Sequence, residues 1–198
     1  MSIVVEHEKR RWEILEKALD VFMEEGFEDV TFQKIADKCG ITRTTLYIYF
    51  KNKREIFNFS IKQLLSTLEN DISLIKKEKS ISHKDKLIRV MTAIIVHLAE
   101  NRRLLSVVMD YLFHMSKSDF DPDIRVRRRT VRLRHILSTM LIEGIKDGEF
   151  RPDINVKDSN EILYSFLEAA VFRLTVLRRN SVDELKEAMA LSVQSFTR

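Results

Sequence analysis

Apolar residues recur at helical spacing along nearly the whole chain. Ile14, Leu15, Ala18, Leu19 and Phe22 fall at steps of three and four and make one face of a helix over residues 12–22. Gly26 follows where a helix stops on a C-terminal glycine. Thr31 then stands at an N-cap position, its hydroxyl free to accept a backbone N–H from the next turn. The helix it opens turns Phe32, Ile35 and Ala36 inward and stops at Gly40; Thr42, another capping residue, comes after only Gly40-Ile41. Two short helices joined by a tight glycine turn predict a helix-turn-helix. Ile35, Ala36, Ile41, Leu46 and Phe50 are expected to pack on Ile14, Ala18 and Phe22 and so fix the angle between them.

Asn52 caps a long helix to about residue 74, and the lysine-rich stretch 76–82 reads as a connection. Helical periods then cover 84–100, 103–115, 124–146, 159–178 and 182–196, with breaks at Asn101, Asp121-Pro122-Asp123, 148–153 and Asn180-Ser181. Only 4 Gly and 2 Pro leave too little turn chemistry for a many-stranded sheet. The expected class is all-α, about nine helices in two domains: a helix-turn-helix domain over 1–51 and a larger helical domain over 52–198.

Charge sharpens this picture. Residues 1–30 carry four Lys or Arg against nine acids, whereas residues 31–54 carry six against Asp37 alone. A basic stretch behind an acidic helix suits a surface that meets phosphate on one side. Net charge is +4. Cys39 is the single cysteine, which excludes an internal disulfide and a multi-cysteine zinc site, and it reads as a small buried hydrophobe. The short apolar run Ile3-Val4-Val5 falls far below a signal peptide's needs, and no stretch approaches the roughly 18 apolar residues of a membrane span. A soluble, cytoplasmic protein is expected.

Residues 26–57 read GFEDVTFQKIADKCGITRTTLYIYFKNKREIF. The positions Gly26-Phe27, Thr31, Ile35-Ala36, Gly40, Thr45-Leu46-Tyr47, Tyr49-Phe50 and Lys53 together resemble the DNA-binding signature of the tetracycline-repressor (TetR) family. Thr44 departs from the small residue, often glycine, that the family has there, and Cys39 from its usual alanine. In helix-turn-helix docking the first turn of the second helix enters the major groove, so Thr42, Arg43, Thr44 and Thr45 are the candidate readers. Arg43 suits guanine's two acceptors, and a threonine methyl suits thymine's; whether Arg43 meets base or phosphate stays open. The resemblance implies phosphate contacts from Thr31, Tyr47, Tyr49 and Lys53, with Lys34 and Lys51 as additions.

It also implies a homodimer on a palindromic operator and release by a small-molecule effector. The stripe Ile162, Leu163, Phe166, Leu167, Ala170 and Leu174 resembles one helix of the family's dimerisation pair. Leu185, Ala188, Met189, Ser192, Val193 and Phe196 resemble the other; the alternative is that both stripes complete the monomer core. By the same analogy Met91, Ile95, His97, Val108, Met109 and Tyr111 line a ligand pocket with Leu112, Phe113, His114, Leu137 and Met140. Arg125, Arg127, Arg128, Arg129, Arg132 and Arg134 crowd one stretch. They read as a solvated face paired with acids, ahead of an anionic-ligand or second DNA site.

Neither a cofactor nor a metal is expected, and no enzyme. His7, His83, His97, His114 and His135 are widely spaced, and the chain has no His-Glu-x-x-His and no phosphate-cradling glycine loop. The partners expected are operator DNA, a second copy and an effector. A competing reading keeps DNA binding but drops the effector, giving an activator or an architectural protein whose operator affinity ignores ligand.

Overall fold

A computed structural model describes residues 3–116 and 122–198, with side chains over 5–114 and 131–198. Among the described residues the chain forms nine helices: α1 (Ile3–Glu25), α2 (Phe32–Cys39), α3 (Arg43–Tyr49), α4 (Lys53–Lys77), α5 (His83–Glu100), α6 (Arg102–Ser116), α7 (Pro122–Lys146), α8 (Val156–Thr175) and α9 (Asp183–Gln194). The only extended pairing among them is a single bridge between Phe150 and Thr197. No helix among these residues is long and apolar enough to cross a membrane.

The helices extend beyond the apolar periods where polar residues do the work. α1 starts at Ile3, well before Trp12, on charged helix formers that pair along its surface, such as Arg11 with Glu8 and Arg10 with Glu13. α4 continues through Lys76 and Lys77, which the sequence assigned to a connection. Two ammonium groups in the last turn favour the negative end of the helix dipole. α8 starts at Val156 because the Asn155 side chain accepts from the Lys157 and Asp158 N–H groups, at 2.9 and 3.3 Å.

Packing groups the helices into two compact units. The first holds α1 to α3, α4 as far as Leu65, and α6. Its centre is aromatic: Phe27 lies 5.2 Å from Phe22, 5.0 Å from Phe57 and 4.9 Å from Tyr111, ring centre to ring centre. α6 is tied in by polar contacts as well. The Asp110 carboxylate accepts from the Phe27 N–H at 3.2 Å, and Arg103 pairs with Glu16 and Asp20 on α1.

The second unit takes α4 from Ser66, α5, and α7 to α9. α5 packs on α7, α8 and α9 and buries Leu87, Val90, Met91, Ile94 and Ile95. Gly144 on α7 lies under the buried Phe150 ring, where a Cβ would collide with it.

Candidate nucleic-acid interface

Short-range bonds build the α2–α3 pair. The Thr31 hydroxyl accepts from the Lys34 N–H at 3.2 Å and starts α2, which buries Ile35, Ala36 and Cys39. Gly40 ends it at φ +67°, a left-handed backbone that glycine adopts without strain. Its N–H donates to the Asp37 carbonyl at 3.0 Å, and the Ile41 N–H donates to that of Ala36 at 3.1 Å, closing the helix end. The Thr42 hydroxyl then accepts from the Thr45 N–H at 3.0 Å and meets the Thr45 hydroxyl at 2.8 Å. α3 buries Leu46 completely and leaves Arg43, Thr44, Tyr47 and Ile48 exposed.

Aromatic and cationic contacts hold the end of α3 from α1. His7 stacks on Tyr49 at 4.8 Å, and the Arg11 guanidinium lies over Phe50 at 4.8 Å and Phe59 at 4.2 Å. On the exposed face Arg43 donates from Nη2 to the Tyr47 hydroxyl at 3.0 Å, and the Tyr47 ring lies against Phe32 at 4.9 Å. The start of α4 is capped twice over: Asn52 accepts from the Glu55 N–H at 2.9 Å, and the Glu55 carboxylate accepts from the Lys51 N–H at 2.5 Å.

The ten residues predicted to touch DNA fall on α2, α3, the segments beside them and the first residue of α4. Thr31, Lys34, Thr42, Arg43, Thr44, Tyr47 and Lys51 are exposed, while Thr45, Tyr49 and Lys53 are half-buried. Besides Arg43, which Tyr47 holds, two of the cations have protein partners. Lys34 reaches Glu25 at 2.6 Å. Lys53 donates to the Phe27 and Glu28 carbonyls at 2.8 and 2.6 Å, closing the turn after α1 and leaving one ammonium N–H to spare. The residues expected to brace the pair lie in one core cluster, with Ile41 partly buried at its margin.

Two residues of this surface escaped the sequence reading. Ile48 is 67% exposed on α3. Its signal was its phase: it stands two residues from both Leu46 and Phe50, on the side of the helix facing away from the core. Gln33 lines the concavity between α2 and α3 with Thr42, Arg43 and Thr45, its amide bonded to Asp37 at 2.7 Å. Exposure of a polar residue in a first helical turn gave no sequence signal.

The pocket candidates do not come together in one unit. Met91, Ile95, Leu137 and Met140 are buried in the second, where half-buried His97 meets Asp71 at 2.7 Å. Val108, Met109, Tyr111, Leu112, Phe113 and His114 belong to α6 in the first. There Tyr111 is core, Val108 packs on that core, Met109 and Leu112 are half-buried, and Phe113 and His114 are exposed. Apolar period marks a helix face but not which neighbour covers it.

Most of the apolar residues in the two dimer stripes pack inside the chain, as the alternative of a monomer core has it. Leu163, Leu167, Ala170 and Leu174 are buried within the chain itself, as are Leu185, Met189, Val193 and Phe196. A side chain without exposed surface in one copy has none to bury against another. Phe166 and Ser192 are half-buried, and only Ile162 and Ala188 of the predicted set are exposed. The apolar residues that α8 and α9 do expose include Phe172 (52%) and Leu191 (69%).

Of the arginine run, the side chains of Arg125, Arg127, Arg128 and Arg129 lie outside the described residues. Arg132 meets Glu69 at 2.7 Å; Arg134 pairs with Glu161 and lies over the Tyr164 ring at 3.8 Å. The Arg134 bond holds the Glu161 carboxyl below the usual carboxylate range. Burial pushes the Cys39 thiol up, which suits an unreactive core residue.

Two short helices crossing at a glycine turn, the second exposed along its polar side, define a DNA-binding protein of the helix-turn-helix class. The family model described as bacterial regulatory proteins, tetR family, matches residues 14–58. The HTH-type transcriptional regulator YfiR of Bacillus subtilis is 30% identical over 162 residues, covering 76% of this chain and 73% of that protein. The fatty acid metabolism regulator protein of Bacillus subtilis is 27% identical over 163 residues, 80% of each chain. A solved structure of the transcriptional regulator FadR from Bacillus subtilis, in complex with stearoyl-CoA, superposes with a TM-score of 0.71 at 22% identity, covering 94% of this chain and 99% of that one. The chain belongs to the TetR family of bacterial regulatory proteins and is a DNA-binding transcription regulator.

Proposed function

We propose that the protein is a cytoplasmic repressor that binds a palindromic operator as a homodimer and leaves it when a small-molecule effector binds. The observation that carries this reading is the exposed face of α3, where Arg43, Thr44 and Ile48 stand clear of the core on a helix fixed by its Thr42 cap. Arg43 offers paired donors to guanine, and the Thr44 and Ile48 methyl groups offer apolar contact to thymine. Thr31, Lys34, Tyr49, Lys51 and Lys53 flank that face and set register on phosphates. The exposed apolar side chains Ile162, Phe172 and Leu191 supply the surface between copies, and a twofold dimer places two readers on a palindrome.

For the effector we take a long-chain acyl-CoA thioester as the class to test first. The support is the stearoyl-CoA held by the FadR structure, together with an apolar interior in the second unit that includes Met91 and Met140. Flexible thioether side chains rearrange readily around an inserted acyl chain. Ligand binding then lowers DNA affinity by linkage: the conformation that holds the effector is not the one that fits two successive grooves.

The test is selection of the purified protein on a randomised duplex pool, followed by salt and stearoyl-CoA titrations on the enriched site. A palindrome of two short half-sites is expected, with affinity falling steeply as salt rises and falling again on addition of stearoyl-CoA. No enriched sequence, or binding indifferent to Arg43→Ala, would overturn the DNA reading. Binding indifferent to stearoyl-CoA would overturn the effector class alone.

A further inference from the structure

We infer that Tyr47 is a positioning residue for base recognition: it fixes the angle of the Arg43 guanidinium on the exposed face of α3, so that discrimination at one operator base pair depends on both. This rests on the DNA reading proposed above. Arg43 and Tyr47 are four residues apart and so stand one above the other on the helix. Arg43 Nη2 donates to the Tyr47 hydroxyl at 3.0 Å, and the guanidinium carbon lies 5.6 Å from the ring centre, within reach of the ring's negative face.

The hold on Arg43 extends back to the core. Tyr47 is 48% exposed, yet its ring lies against Phe32 at 4.9 Å, and Phe32 packs against the buried cluster of the first unit. Phe32 thus fixes the tyrosine, and the tyrosine fixes the arginine. An exposed arginine without such a hold samples many rotamers and loses that freedom when it meets a base.

Both contacts leave the arginine's charge intact. Lys34 and Lys38 are met by Glu25 and Glu24, whereas Arg43 is held by a neutral hydroxyl and a ring. Of the five guanidinium N–H groups the tyrosine takes one from Nη2, which leaves the pair that a bidentate bond to guanine needs. The hydroxyl therefore orients Arg43 without competing for the edge that reads.

The experiment measures affinity for the selected operator and for its single-base-pair variants, using the wild type, Arg43→Ala, Tyr47→Phe and the double variant. Arg43→Ala is expected to erase discrimination at one symmetric position, a loss of roughly 10-fold. Tyr47→Phe keeps the ring and every charge, so the salt slope stays and discrimination falls about 3-fold or more at that same position only. In the Arg43→Ala background the tyrosine change adds nothing, because what it oriented is gone.

If Tyr47→Phe weakens binding equally at all sequences and its effect persists beside Arg43→Ala, the hydroxyl contacts DNA by itself and the positioning role falls. That role falls equally if Tyr47→Phe changes nothing while Arg43→Ala does. If Arg43→Ala leaves every preference intact, the DNA reading fails first and this inference with it.

Discussion

The helix-turn-helix and the second unit are both built from amphipathic helices, yet different things hold them together. In the first, the starts of α2, α3 and α4 are capped by residues a few positions apart, Thr31 with Lys34, Thr42 with Thr45 and Asn52 with Glu55, although the turn after α1 is closed by the distant Lys53. In the second, local caps also start helices, but the contacts that join one helix to another link residues far apart in the chain. Asn160 on α8 donates to the Arg134 carbonyl and the Ser138 hydroxyl on α7, both at 2.6 Å, and the Glu149 carboxylate accepts from the His83 N–H at the start of α5, at 2.7 Å. Reading geometry is thus written locally, whereas the second unit's geometry emerges only once distant helices meet.

The largest expected effect tests whether the α8 stripe is core. Leu163 is fully buried, so Leu163→Ala removes packed methyl groups and leaves a cavity, at a cost of about 3 kcal/mol of folding stability. Urea denaturation monitored by circular dichroism checks the stability, and sedimentation checks assembly. A variant that keeps its stability and merely dissociates would put Leu163 between copies after all.

What the sequence disclosed follows the same division. Caps and the glycine turn placed α2 and α3 correctly because a hydroxyl three residues from its N–H partner is visible without knowledge of the fold. Arg43 stood out for the same local reason. The bond from Arg43 to Tyr47 was hidden because it depends on rotamers, although the four-residue spacing permitted it. The α8 and α9 stripes were visible as apolar faces, but a period carries no record of whether α5 or another copy covers it. Lys53 was legible as a cation and not as the residue that closes the turn at Phe27, since its carbonyl partners lie far back in the chain.

Alanine at two glycines sharpens the contrast at intermediate size. At Gly144 in α7 the added Cβ runs into the buried Phe150 ring, and Gly144→Ala is expected to cost about 2 kcal/mol through overpacking. At Gly40 nothing lies within 4 Å of the added Cβ, but the backbone sits at φ +67°. There Gly40→Ala costs about 1 kcal/mol, the ordinary penalty of a left-handed residue. Paired thermal melts check both. Replacing Gly40 by Asn, which tolerates that backbone, should recover part of the loss, while the same change at Gly144 should deepen it. Equal responses at the two sites would erase the distinction between a conformational and a steric glycine.

The smallest effect concerns pH and one surface pair of the second unit. Glu161 is held below the usual carboxylate range first by its bond from Arg134, and being exposed it contributes only weakly to stability. The sign follows from linkage. A carboxyl whose pKa is lower folded than unfolded contributes stability above its unfolded value, and loses it as pH falls through the folded one. The stability gap between wild type and Glu161→Gln should therefore be present at neutral pH, shrink as pH drops through the acidic range, and shrink also with added salt. Denaturation curves taken at steps from pH 7 to about 3 would follow it. Arg134 also lies over the Tyr164 ring at 3.8 Å, a contact that does not depend on the glutamate's charge. A gap that survived acid and salt would thus belong to packing around that stacked arginine, and the charge pair would drop out of the account of how α7 is held to α8.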